Sequence, residues 1–143
     1  MSRLGKFLRL PAAERRLLCG TALLLGATGL GLRVLSFYTV RRLLHRLGRL
    51  AARTRLPADR IAWAVTAAGR NIPGAGNCLV QALAAETLLR RHGHRAELRI
   101  GVARAAAQPF QAHAWVECDG RAFLGGTELG GFSALPPLRL DGS

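Results

Sequence analysis

The stretch Gly74-Ala75-Gly76-Asn77-Cys78-Leu79-Val80-Gln81-Ala82-Leu83 constrains the fold more than any other. Its glycines make a loop, and the apolar residues that follow at helical spacing (Leu79, Ala82, Leu83, Leu89) make a helix with a packing face. Asn77 suits the N-cap, because its side-chain oxygen accepts one of the N–H groups that the first turn leaves unpaired. Cys78 then takes the first helical position. A helix N-terminus carries partial positive charge, which favours thiolate over thiol. At the far end Arg90, Arg91 and His92 suit the negative terminus and Gly93 suits a left-handed cap, so the helix is expected over residues 78–92.

Beyond this helix the hydrophobic pattern changes to a period of two. Residues 96–103 set Leu98, Ile100 and Val102 against Glu97, Arg99 and Gly101, the pattern of a half-buried strand. Residues 104–110 read as a loop and residues 112–118 as a second strand. Asp119-Gly120 is a two-residue hairpin signal, residues 121–124 form the return strand, and the tail from Phe132 reads as irregular. On the second strand, alternation puts His113, Trp115 and Glu117 on one face and Ala114, Val116 and Cys118 on the other. A thiol opening a helix and an imidazole on a later strand are the two parts of an activated cysteine nucleophile. A cysteine in an apolar helix is more often a small buried hydrophobe; Cys118 is read as a core thiol and Cys19, in an apolar helix, as inert. The glycine lead-in, the cap and the histidine strand set Cys78 apart.

A chain of 143 residues, half of them apolar, allows one domain with a real core and a helical appendage. The charge is lopsided. Residues 1–60 hold 13 Lys and Arg against Glu14 and Asp59, and residues 61–143 hold 8 against 6, so nearly all of the net +13 lies in the first half. That asymmetry points to an anionic partner or membrane surface for the basic half. Three cysteines without paired spacing suit a reducing compartment, and a cytoplasmic location is expected. No Cys/His spacing matches a zinc site, the glycine loop lacks a P-loop lysine, and neither metal nor cofactor is expected.

In the basic half, residues 1–9 are expected to fray, and Pro11-Ala12-Ala13-Glu14 is a helix start. Residues 17–32 carry no charge but include four glycines, and fall short of the about 20 apolar residues of a span. A signal sequence also fits that length, but no small-residue cleavage site stands out. The reading is a helix packed on protein or lying at a membrane surface. Residues 40–53 form an amphipathic helix, with Leu43, Leu44, Leu47, Leu50 and Ala51 on one face and Arg41, Arg42, Arg46, Arg49 and Arg53 on the other. The basic face is either solvated or a docking face for anionic lipid or an acidic protein. Nucleic acid is not expected as a partner, since no aromatic residues interleave with the arginines. A short linker near Leu56 divides residues 1–56 from a catalytic region, residues 57–143. Within it Asp59 caps a helix that Gly69 closes.

Helices, then the cysteine helix, then antiparallel strands make an α+β fold. Two clusters bring in a family. Asn77-Cys78-Leu79 with Ala82-Leu83 and Leu88-Leu89-Arg90-Arg91-His92-Gly93, and then Gln111-Ala112-His113-Ala114-Trp115-Val116-Glu117, resemble the lasso-peptide leader peptidases. These are the protease half of the lasso biosynthesis protein B, with a transglutaminase-like, papain-related fold. The resemblance covers roughly residues 70 to 138, and Leu10-Pro11-Ala12-Ala13-Glu14-Arg15-Arg16-Leu17-Leu18 looks like the family's helical N-terminus. It implies a cysteine peptidase that removes the leader from a ribosomally made lasso precursor peptide. Its implied partners are a separate leader-recognition protein and a macrolactam-forming synthetase.

In that reading Cys78 attacks the scissile carbonyl and His113 moves the protons, with Asn77 and Trp115 as substrate contacts. Family members commonly carry an aspartate about twelve residues after the histidine, where this chain has Gly125. Asp119 lies six residues along the strand from His113, on the order of 20 Å away. Pairing across the turn matches Cys118 with Arg121 and brings Gly126 opposite His113. That leaves Glu128 as the carboxylate able to orient the imidazole; otherwise the enzyme works as a dyad. Two other functions use the same residues differently: a transglutaminase-type acyl transferase, and a non-enzymatic basic membrane-associated adaptor with Cys78 in its core.

Overall fold

The computed structural model describes residues 3–52, 55–71, 78–105, 108–118, 121–124 and 133–134. Five helices precede a four-stranded sheet: α1 (Arg3–Leu8), α2 (Ala12–Val34), α3 (Phe37–Gly48), α4 (Ala58–Asn71), α5 (Cys78–Arg91), β1 (Ala96–Ala105), β2 (Gln108–Cys118), β3 (Arg121–Leu124) and β4 (Ser133–Ala134). The sheet order is β3-β2-β1-β4, antiparallel throughout. The expected α+β fold is what forms.

The core lies between α5 and the sheet and extends outward through α4 and α2. Leu25, Ile61, Val65, Leu83, Leu89 and Val116 are all fully buried within one cluster. Leu25 comes from α2, so the packing runs across the linker near Leu56. Leu25→Ala is therefore expected to cost ~2–5 kcal/mol, whereas Leu30→Ala, on the exposed side of the same helix, should fall within about 0.5 kcal/mol of wild type. Urea unfolding monitored by circular dichroism measures both, and equal small losses would mean that α2 is not part of the folded core.

Several boundaries differ from the sequence reading, each for a local reason. Residues 3–8 form α1 where fraying was expected. The basic helix begins and ends earlier, at Phe37 and Gly48, because Ser36 is its N-cap and accepts from the Thr39 N–H at 3.2 Å. α4 runs through Gly69 to Asn71, since one glycine inside a packed helix costs only about 1 kcal/mol. α5 stops at Arg91, and Gly93, at φ 82°, takes the left-handed position. The Gly93 N–H reaches the Arg90 carbonyl and the His94 N–H the Leu89 carbonyl, which closes the helix C-terminus in a Schellman motif.

The stretch read as a loop, residues 104–110, is mostly strand. Ala105 pairs with Gln108, and the ladder is irregular between Ala103 and Ala105. Pro109, which has no N–H to donate, falls within that irregular stretch. An alanine run without Gly or Asn gives no hairpin signal, so the sequence hid this pairing. β4, in what was read as an irregular tail, pairs Ser133 with Val102 and Ala134 with Gly101.

A buried ionic group ties the helices to the sheet. Glu86 on α5 is buried and accepts a hydrogen bond from the Leu98 N–H of β1. Its carboxylate also lies 3.7 Å from Arg41 of α3 and 3.9 Å from Arg90 one turn on. Arg90 in turn donates to the Ala96 carbonyl at 3.1 Å and meets His45 Nδ1 at 2.9 Å. Glu86 and Arg90 thus satisfy β1 edge groups that β4 is too short to reach. Arg41 is buried, and burial pushes its pKa down while the Glu86 carboxylate pulls it back up. His92 and His94 hold the linker. The Leu56 N–H donates to His92 Nδ1 at 3.2 Å, and His94 Nε2 lies 2.7 Å from the Leu56 carbonyl.

Candidate active site

Cys78 is the first residue of α5. Asn77, Asp119 and Glu128 lie outside the described residues, as do the side chains of Cys78 and His113. Backbone positions still place the two catalytic candidates. His113 sits in β2 opposite Gly101 of β1.

Two contacts fix how α5 lies along β1: Arg90 to the Ala96 carbonyl, and Glu86 to the Leu98 N–H. Four residues back along a helix is ~6 Å, and two residues forward along a strand is about 6.6 Å. Helix and strand therefore keep step in opposite directions. Continuing eight residues from Glu86 reaches Cys78, ~12 Å on. Three to four residues beyond Leu98 lie Gly101 and Val102, about 10–13 Å on. The helix start thus comes level with the ladder position that holds His113. By this count the thiol-bearing helix end and the histidine register position fall at the same end of the helix–sheet layer.

Ala114, Val116 and Cys118 of β2 are all buried in the core cluster. Cys118 is the core thiol the alternation predicts. Cys19, in contrast, is exposed on α2. Trp115 is only 3% exposed, with Nε1 donating toward Glu117 Oε1 at 3.5 Å. Glu117 is half-buried and lies 3.9 Å from Arg99 across the ladder.

The hairpin reading holds at its base, where Cys118 pairs with Arg121 and Glu117 with Ala122. The next pair is Val116 with Leu124, so Phe123 is an extra residue on β3. The count that put Gly126 opposite His113 assumed an unbroken ladder, which the bulge interrupts, and Gly126 itself lies outside the described residues. Among the described residues, no three His, Cys, Asp or Glu side chains come together as metal ligands.

The transglutaminase-like superfamily profile matches residues 22–136, most of the chain, and the chain belongs to that superfamily. The superfamily includes cysteine peptidases and acyl transferases. No curated protein and no solved structure matches the chain significantly.

Proposed function

We propose that the protein is a cysteine peptidase that removes the leader from a lasso precursor peptide. The reading rests on Cys78 as first residue of α5 and His113 in β2 opposite Gly101, within a transglutaminase-like fold. The Cys78 thiolate attacks the scissile carbonyl, and the Cys78 N–H at the helix start helps to hold the oxyanion. His113, protonated by the thiol, gives its proton to the departing amine of the core peptide. The leader remains as a thioester on Cys78. A water molecule, deprotonated by His113, attacks that thioester and releases the leader acid and the thiol.

Precursor cleavage tests the reading. The full chain is mixed with a precursor peptide and the leader-recognition protein, and the products are weighed by mass spectrometry. Free leader and free core peptide are expected. A leader joined to an added amine instead of to water would assign the protein to the acyl transferases. An unchanged precursor would favour the adaptor.

The third catalytic group is assigned to Glu128. The flanking described residues support this. Leu124 lies beside β2 on one edge of the sheet and Ser133 beside β1 on the other, three strand spacings or ~14 Å apart across the sheet and, from the level of Leu98 to that of Val102, about 13 Å apart along the strands. Residues 125–132 make the connection between the two edges, and Ser133 pairs at Val102, next to the partner of His113. Glu128 is in the middle of that connection. Glu128→Gln is expected to lower kcat about 10-fold to 100-fold at an unchanged melting temperature, while Asp119→Asn stays within about twofold. A folded Asp119→Asn enzyme without activity would overturn the assignment.

A further inference from the structure

The basic helix does not divide as a simple helical wheel of its leucines and arginines implies. α3 turns Val40, Arg41 and Gly48 inward, with Phe37 and Leu44 partly buried against the core. Arg41 is thus removed from the docking face and engaged with Glu86, and Arg53 lies outside the described residues. The outward face holds Tyr38, Arg42, Leu43, Arg46, Arg49 and Leu50. Leucine and arginine share it: Leu43 is 51% and Leu50 61% exposed. The Arg42 guanidinium sits over the Tyr38 ring, 5.7 Å from its centroid.

The apolar part continues through Leu35 and Val34 onto the outer side of α2, where Leu30 and Leu23 are exposed as well. α2 is long and apolar enough to cross a membrane, yet Thr21, Leu25 and Thr28 dock one side of it in the fold. It therefore offers an apolar side rather than an all-round apolar surface. No acid lies between Glu14 and Asp59, a stretch that carries nine arginines. Arg42, Arg46 and Arg49 make no ion pair among the described residues.

We infer that the outward faces of α2 and α3 bind the surface of an anionic lipid bilayer, with the leucines entering the acyl boundary and Arg42, Arg46 and Arg49 at the headgroups. Exposed leucines mixed with uncompensated arginines suit an interface that is apolar below and negative above. An acidic protein would match the arginines but leave Leu23, Leu30, Leu43 and Leu50 without a reason to be exposed together. Arginine stems also let the charged heads rise while their methylenes stay with the leucines. The inference stands apart from the peptidase reading, since it uses neither Cys78 nor His113.

Co-sedimentation of the full chain with vesicles tests it. Binding is expected to phosphatidylglycerol–phosphatidylcholine vesicles, falling as salt rises, with little binding to pure phosphatidylcholine. The triple variant Arg42→Gln, Arg46→Gln, Arg49→Gln should lose on the order of 100-fold in affinity. Leu30→Ser with Leu43→Ser should lose about tenfold or more while keeping its salt dependence. Circular dichroism confirms that each variant is folded; all the changed side chains are exposed. A wild-type chain that stays in solution with anionic vesicles would overturn the inference. If that chain instead bound polyglutamate through the same arginines, the face would belong to an acidic protein.

Discussion

Cys78→Ala and His113→Ala are each expected to abolish precursor cleavage, by on the order of 10⁴-fold or more. Removing either member of a nucleophile–base pair removes the covalent path altogether, so the two losses should be similar and should not add in the double variant. Both should melt with the wild type, since each change is a truncation at the end of the helix–sheet layer. The other thiols provide the contrast. Cys19→Ser changes an exposed side chain and should keep both activity and stability. Cys118→Ser places a hydroxyl in the core and should keep activity while losing about 1–3 kcal/mol of stability. Cleavage assayed by mass spectrometry, beside thermal melts of the same samples, separates these outcomes. Wild-type processing by Cys78→Ala would remove the peptidase reading.

The largest stability effect is expected at Glu86. Its carboxylate faces Arg41 and Arg90 and accepts from the Leu98 N–H. Glu86→Ala leaves the buried Arg41 guanidinium without its counter-ion and an edge N–H of β1 without its acceptor. Breaking a buried ion pair from one side costs ~3–5 kcal/mol, which for a chain of this size lowers the melting temperature by about 10 °C or more. The loss is mostly that of a stranded charge. The double variant Glu86→Leu, Arg41→Met should therefore recover much of it. A Glu86→Ala protein melting within about 2 °C of wild type would show that the carboxylate does not hold α3 and α5 to the sheet.

How much the sequence made legible depends on the range of each signal. The α5 start and end were readable because a cap, a charge bias and a left-handed glycine act within one turn, and Gly93 takes the position expected of it. The base of the β2–β3 hairpin was readable because Asp119-Gly120 is a two-residue turn signal, and Cys118 does pair with Arg121. Features set by contacts between distant residues were not. Nothing near Arg41 says that it faces Glu86, far along the chain on another helix, so it was assigned to the outer face with its neighbours. The bulge at Phe123 has no glycine to announce it. β4 is a two-residue bridge whose partners lie on β1, well upstream. For the site, helix start and strand position were both visible, but their alignment depended on the Arg90 and Glu86 contacts that set α5 along β1.

The central claim is that Cys78 is an activated thiol, and mapped alkylation tests it most directly. The full chain is treated briefly with iodoacetamide between about pH 5.5 and 8.5, digested, and the modified cysteines located by mass spectrometry. Total thiol loss is not enough, because Cys19 is exposed and will react as an ordinary thiol. Cys78 is expected to label fastest and to keep labelling near about pH 6, where an ordinary exposed thiol with a pKa of about 8.5 is nearly all protonated. Cys19 should label only toward the alkaline end, and Cys118 only after unfolding. The His113→Ala variant should shift the Cys78 profile upward in pH. A Cys78 that labels no faster than Cys118 in the folded protein would contradict the account and return this cysteine to the core.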